Sequence, residues 1–315
     1  MAANYWDSTQ AKYWTFTKSD LAAQRSELAK LNSQLHTTYP LPDRRHMSIF
    51  IQQALNKLSR RMTLRQQALA TAQIYIKRFY LHVEMRKTNP YLIMATAVYL
   101  ACKMEESPHH IRIMLGEAAR QWPELGVTES SKIGECEFAL ISTLSSRLIL
   151  HHPYRALSEL QSSFGLSSEE GQLAHAIIND SFNTDLPLLY PPHVIAITAV
   201  FLAVVLRPAG TLQAHSSAGS ASAAGMMGIG SPGLAPSIPM LSSAAAQNAL
   251  SGLAGLKQAG PKLTKLVDWL AESQVDMEAV VDATQELVSL YEAWESYSER
   301  NCKESITKFM TGFSK

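Results

Sequence analysis

Two twelve-residue stretches of this chain are nearly the same: "PYLIMATAVYLA" from Pro90 to Ala101 and "PHVIAITAVFLA" from Pro192 to Ala203. They agree at Pro90/Pro192, Ile93/Ile195, Thr96/Thr198, Ala97/Ala199, Val98/Val200, Leu100/Leu202 and Ala101/Ala203. Tyr91 to Cys102 carries no charge at all. A helix with no polar face has no side to offer to water, so it must be buried on most sides and stand at the centre of its domain. Asn89 is placed to cap the first copy, and Pro90 suits its first turn.

The repeat extends upstream. Leu69, Ala70, Ala72 and Ile74 fall against Leu173, Ala174, Ala176 and Ile178, at an offset of 104 residues against 102 for the central helix. Two consecutive helices therefore recur in order, about one domain length apart. A solenoid would repeat every ~20–50 residues, so the pattern is that of a duplicated helical domain. The rest of the chain is helical in period: Leu64, Ala68, Ala72, Tyr75, Ile76 and Phe79 recur at three- and four-residue steps, as do Ile133, Leu140, Ile141, Leu144 and Leu148. No β alternation is evident, and the expected class is all-α. Pro208 to Leu256 contains no Asp, Glu, Lys or Arg and is dominated by Ala, Gly, Ser and Pro. Such sequence buries too little to offset its ordering entropy, so it reads as a disordered insertion in the second domain. Its Met226, Met227, Met240 and Leu241 are more simply incidental than a partner motif.

Lys103 follows the first central helix, and the equivalent position of the second copy is Val205. Glu137 interrupts the apolar stripe of its helix, four residues after Ile133 and three before Leu140. A carboxylate there needs a partner, or desolvation costs it several kcal/mol. On periodicity alone, Lys103 and Glu137 pair with each other or reach out to water. Glu135 is the rival glutamate, on a different helix face.

With these residues in view the chain resembles the cyclin family. "ATAVYLACKMEES" looks like the signature of the third cyclin-box helix, an apolar helix ending in Lys followed by an acidic pair. "RQQALATAQIYIKRFY", "ECEFALI", "HHPYRAL", "DLPLLYPPHVIA" and "QVDMEAVV" are similar to the C-type cyclins of the Mediator kinase module of RNA polymerase II. The similarity runs from the N-terminus to about Arg300, with a looser stretch from Asn32 to Arg44, and the insertion points to a fungal member. The resemblance implies two tandem cyclin boxes. A short N-terminal helix and connection would occupy 1–43, the first, kinase-binding box 44–150, and the second box 151–207 and 262–300. The flexible insertion would be 208–261 and a C-terminal tail 301–315.

The resemblance also implies a function: a non-catalytic subunit that binds and activates a Mediator-type cyclin-dependent kinase, with other kinase-module subunits as partners. It would act in the nucleus, activating or repressing transcription. Lys103 and Glu137 match the family's lysine and glutamate that hydrogen-bond the kinase backbone beside its αC helix. Glu106 of the acidic pair, Leu140 and Leu144 complete the expected kinase-binding set. Trp6 and Trp14, in the repeated "YW" of the N-terminal segment, are a second candidate surface or a staple onto the first box. Two departures limit the match. "MSIFIQQALNKL" lacks the substrate-docking stretch of cell-cycle cyclins, and Ser146 stands where the family has an aromatic or apolar contact.

Other classes are less well supported. His109-His110 and His151-His152 are adjacent pairs, not the i, i+4 spacing that turns two imidazoles toward one metal. No phosphate loop or nucleophile elbow occurs, so no enzyme, metal or cofactor is expected, and His152 before Pro153 reads as a helix start. The alternative reading is a transcription factor IIB-like protein or a cyclin-fold scaffold acting without a kinase. The former carries a zinc ribbon and basic repeats, whereas this chain has three scattered cysteines and a net charge of +1. No sequence-specific nucleic-acid contact is expected. The scattered cysteines suit a reducing compartment, and "MAANYWDSTQ" lacks the basic start and apolar run of a secretory signal. Val194 to Leu206 is short of the ~20 residues that span a bilayer, so no membrane partner is expected. There is no long basic run, which suggests nuclear import with a partner.

Overall fold

The computed structural model describes residues 4–206 and 261–312. They form fifteen α-helices and no strand. The insertion expected at 208–261 lies outside the described residues except for its last position, where a helix begins.

The first central helix is α6 (Pro90–Met104), and its start is set by Asn89, whose side chain accepts from the N–H groups of Tyr91 and Leu92 at 3.1 and 3.3 Å. Four helices enclose this axle: α4 (Arg44–Met62), α5 (Gln66–His82), α7 (Ile111–Gln121) and α8 (Ser130–Thr143). The second axle, α12 (Pro192–Val205), is surrounded in the same way by α9 (Pro153–Phe164), α10 (Ser168–Ser181), α13 (Pro261–Glu272) and α14 (Met277–Glu295). Among the described residues, the repeated α5–α6 and α10–α12 pairs are the most intimate helix contacts. They differ in their links: a single turn at Met85–Lys87 in the first, and the short α11 (Leu186–Leu189) in the second. The two-residue change of offset arises because α5 runs further past the matched residues, to His82, than α10 does, to Ser181, which outweighs the longer link of the second copy.

The boxes share a wall. Most of α5 faces the first core, but its Ala70 and Ile74 belong to the second, while Leu188 and Leu189 of α11 reach into the first. Asp185, just before α11, is the polar counterpart of this sharing. Its carboxylate takes both arms of Arg25 at 2.9 Å, from α2 (Lys18–Leu31), together with Arg44 at the start of α4. Burial alone would raise this carboxyl, but the Arg25 hydrogen bonds and the charges of Lys77 and Arg44 outweigh it and hold its pKa far below the usual range.

Both ends differ from expectation. The N-terminal region is not one short helix but α1 (Thr9–Tyr13), α2 and α3 (Ser33–Thr38). Helix α2 opens on a reciprocal Thr17–Asp20 cap and buries only Leu21, so its apolar pattern is too sparse to read from the sequence. Residues 301–312, the described part of the expected tail, do not hang free. Helix α15 (Glu299–Gly312) returns to the first box and buries Cys302, Ile306 and Phe309 there, at four- and three-residue steps.

Asp185 therefore joins the N-terminal region, the first box and the second. Asp185→Asn is expected to cost about 3 kcal/mol at neutral pH, because it leaves two arginines short of their counter-charge. A carboxyl with a depressed folded pKa contributes stability above its unfolded value and loses it below. Denaturant unfolding should accordingly show the gap between wild type and variant at its full size near pH 7 and closing as pH falls below about 3.8.

Candidate functional site

Lys103 lies in the last turn of α6, where the helix leaves the core, and its side chain is 38% exposed. It forms an ion pair with Glu137 of α8, which is 14% exposed, and its ammonium sits 4.6 Å from the centre of the Tyr99 ring. Glu135 is elsewhere: it pairs with Lys132 at 2.9 Å on the solvent face of α8. Of the two rival glutamates, Glu137 is the one brought to Lys103. The pair leaves capacity to spare, since an ammonium has three donors and a carboxylate about four acceptor positions. A donor and an acceptor held side by side at a surface match the C=O and N–H of an incoming backbone.

The acidic pair after Lys103 divides its work. Glu105 turns inward, accepting from Thr71 Oγ1 at 2.6 Å and Gln67 Nε2 at 2.7 Å, with His152 Nε2 3.6 Å away. Burial would raise its pKa, but the nearby His152 and the Thr71 hydrogen bond prevail and hold it below the usual carboxylate range. Since His152 begins α9, as its place before Pro153 suggests, Glu105 ties the open end of the first axle to the start of the second box. Glu106 is exposed and takes a left-handed φ of 50° where the chain turns away. His110 caps α7, its Nδ1 accepting from the Arg112 N–H at 3.2 Å.

Two expected contact residues prove to be core. Leu140 and Leu144 are fully buried against the first box's own helices, so they have no surface to give a partner. The apolar side chains that are open lie off that stripe: Phe138, 77% exposed and next to Glu137, and Met104, next to Lys103. Periodicity marked the stripe without saying what covers it; the available signal was an aromatic residue outside it. The two tryptophans also part company. Trp14 is buried in the first core beneath the Arg78 guanidinium, 4.7 Å from its ring centre, so it is a staple and not a surface. Trp6 is 62% exposed, its ring 5.9 Å from that of His193.

The family described as "Cyclin, N-terminal domain" matches residues 21–149, from α2 through the turn after α8. The RNA polymerase II holoenzyme cyclin-like subunit of Emericella nidulans is 51% identical over 312 residues, covering 98% of each chain. Its counterpart in Neurospora crassa is 48% identical over 340 residues, again covering 98% of each. The chain belongs to the cyclin family. As a cyclin it is a regulatory subunit and not itself a catalyst. The same fold occurs in the CAK complex of Chaetomium thermophilum, with a TM-score of 0.57 and 18% identity over 98% of this chain and 86% of that one. It occurs also in the yeast TFIIK complex, with a TM-score of 0.56 and 16% identity over 91% of this chain and all of that one.

The geometry separates surface from core among the expected residues. Lys103→Ala, which leaves the largely buried Glu137 carboxylate without its cation, should cost about 1–3 kcal/mol. Leu140→Ala should cost about 2–5 kcal/mol, as large core truncations do. Urea unfolding of the two variants checks both values.

Proposed function

We propose that this cyclin binds and activates a Mediator-associated cyclin-dependent kinase, and so regulates transcription by RNA polymerase II in the nucleus. The observation that carries the reading is the Lys103–Glu137 pair at the open end of α6, set against the uncharged Val205 at the same place in α12. At this position one copy of the repeat offers a charged hydrogen-bonding site and the other a valine. The relatives' common name, RNA polymerase II holoenzyme cyclin-like subunit, is consistent with a transcriptional role.

A protein kinase is active when its β3 lysine pairs with the glutamate of its αC helix, and the position of αC controls that pair. A rigid helical surface that binds the inward position of αC more tightly than the outward one shifts the equilibrium by that difference in affinity. In this reading Lys103 and Glu137 engage backbone groups beside αC and fix the register. Phe138 and Met104 supply apolar area, the role that Leu140 and Leu144 cannot fill. Entry into the nucleus is proposed to occur with the kinase; nuclear accumulation of the cyclin in cells lacking the kinase would contradict that route.

The direct test mixes the purified chain with the Mediator-type kinase and reads both binding and phosphoryl transfer, with the remaining kinase-module subunits added. Lys103→Ala and Glu137→Ala should each weaken binding by about 2 kcal/mol or more, roughly thirtyfold, while Glu135→Ala leaves it unchanged. A wild-type chain that neither binds nor activates the kinase overturns the proposal and favours a scaffold.

A further inference from the structure

Around Asp185 the chain gathers more positive charge than it balances. Arg25 of α2, Arg44 and Arg45 of α4 and Lys77 of α5 meet there, and the carboxylates set among them are Asp185 and Glu286 of α14. Arg25 and Arg44 share Asp185, while Arg45 donates to Ser289 Oγ at 2.8 Å and reaches Glu286 at 3.3 Å. Lys77 lies in the same field, with Asp185, Arg44, Arg25 and Glu286 as its charged neighbours. Its ammonium donates to Ser48 Oγ at 2.9 Å and to no carboxylate among the described residues. Asp43, next along the chain, is spent on the cap of α4, where it accepts from the Arg45 N–H at 2.8 Å.

Four cations therefore face two carboxylates, and folding does not account for the excess. Helix α4 begins with Arg44, Arg45 and His46, and no acid stands in its first turn. Cations there oppose the helix dipole, whose N-terminal end is itself positive. Lys77 is recessed beside two arginines, and its burial is the main cause that brings its pKa down to about 8. Each choice is locally unfavourable, and such choices concentrate at functional sites. The cluster opens to solvent at Arg44, which is 53% exposed, and is more covered at Arg25 and Arg45. That depth suits one compact oxyanion and not a polyanion, in keeping with a net charge of only +1.

We infer that Arg44, Arg45 and Lys77, backed by Arg25, form a receptor for the phosphate dianion of a phosphorylated serine or threonine on a partner polypeptide. Guanidinium forks and an ammonium are the side chains that hold phosphoryl oxygens. The arginines keep donors beyond those their carboxylates use, and Lys77 has two to spare. As the regulatory subunit of a kinase, the chain works where phosphorylated side chains are produced. The site involves neither Lys103 nor Glu137.

The test uses the full chain in phosphate-free buffer at constant ionic strength. The probes are a short peptide with one central phosphoserine, its unphosphorylated twin, and inorganic phosphate. The phosphopeptide should bind and raise the thermal midpoint, and the twin should do neither. Arg44→Gln should weaken binding about tenfold or more, while Lys103→Ala leaves it unchanged. Lys77→Met should abolish the response without lowering the midpoint of the free chain, because it removes a charge that burial penalises. With the lysines isotope-labelled, the Lys77 resonance should titrate near 8 in the free chain and higher once the phosphopeptide is bound. Binding of inorganic phosphate without the phosphopeptide overturns the assignment to a polypeptide. The site itself falls if neither binds, if Lys77→Met responds like wild type, or if the Lys77 resonance does not move on binding. Loss of kinase binding in Lys103→Ala bears only on the kinase reading, so the two can fail separately.

Discussion

The structure depends on one constraint: two helices, α6 and α12, whose buried lengths carry no charge and that water cannot be allowed to reach. Eleven of the fifteen residues of α6 are buried, and ten of the fourteen of α12. An amphipathic helix is satisfied by one neighbour, whereas these need enclosure, and each fully buried large side chain contributes about 1.5–3 kcal/mol to enforcing it. The five-helix box is the smallest arrangement the chain uses to supply that enclosure, and it uses it twice. The duplication follows from the axle, and the surrounding helices need only present an apolar stripe.

Enclosure leaves the ends of the axles open, and the two copies treat those ends differently. In the first, α6 emerges through Lys103, which meets Glu137, while Glu105 turns back to His152 and Thr71. One side of the exit is therefore tied to the second box and the other faces outward. Asp185 with Arg25 and Arg44, the α5 wall shared by both cores, and α15 returning to the first box restrain the same assembly at other points. A surface backed in this way can discriminate between two positions of a partner helix, because yielding to either would require repacking a close-packed interior.

Much of this was legible in the residues. The α5–α6 and α10–α12 repeat, the Asn89 cap, the position of Lys103 and the choice of a helical class all follow from apolar periodicity and local chemistry. What was not legible has physical reasons. Helix α2 buries a single leucine and is held by an arginine reaching a carboxylate 160 residues away, a contact that no local pattern encodes. Leu140 and Leu144 sit on a true apolar stripe, but a stripe does not reveal whether its cover is the chain's own core or a partner. Trp14 is buried because Arg78, itself fully buried, needs an aromatic face, and that pairing spans 64 residues of sequence. By contrast α15 was within reach: Cys302, Ile306 and Phe309 already had helical spacing.

The central claim is that the first copy of the repeat is the interface and the second its support. Hydrogen–deuterium exchange on the chain alone and bound to the Mediator-type kinase tests it most directly, because it reads both copies at once. The account predicts new protection at 103–106 and along the Glu137 side of α8, with exchange at the end of α12 unchanged. Protection centred on α12 and α13, with the α6–α8 exit unaffected, would contradict it.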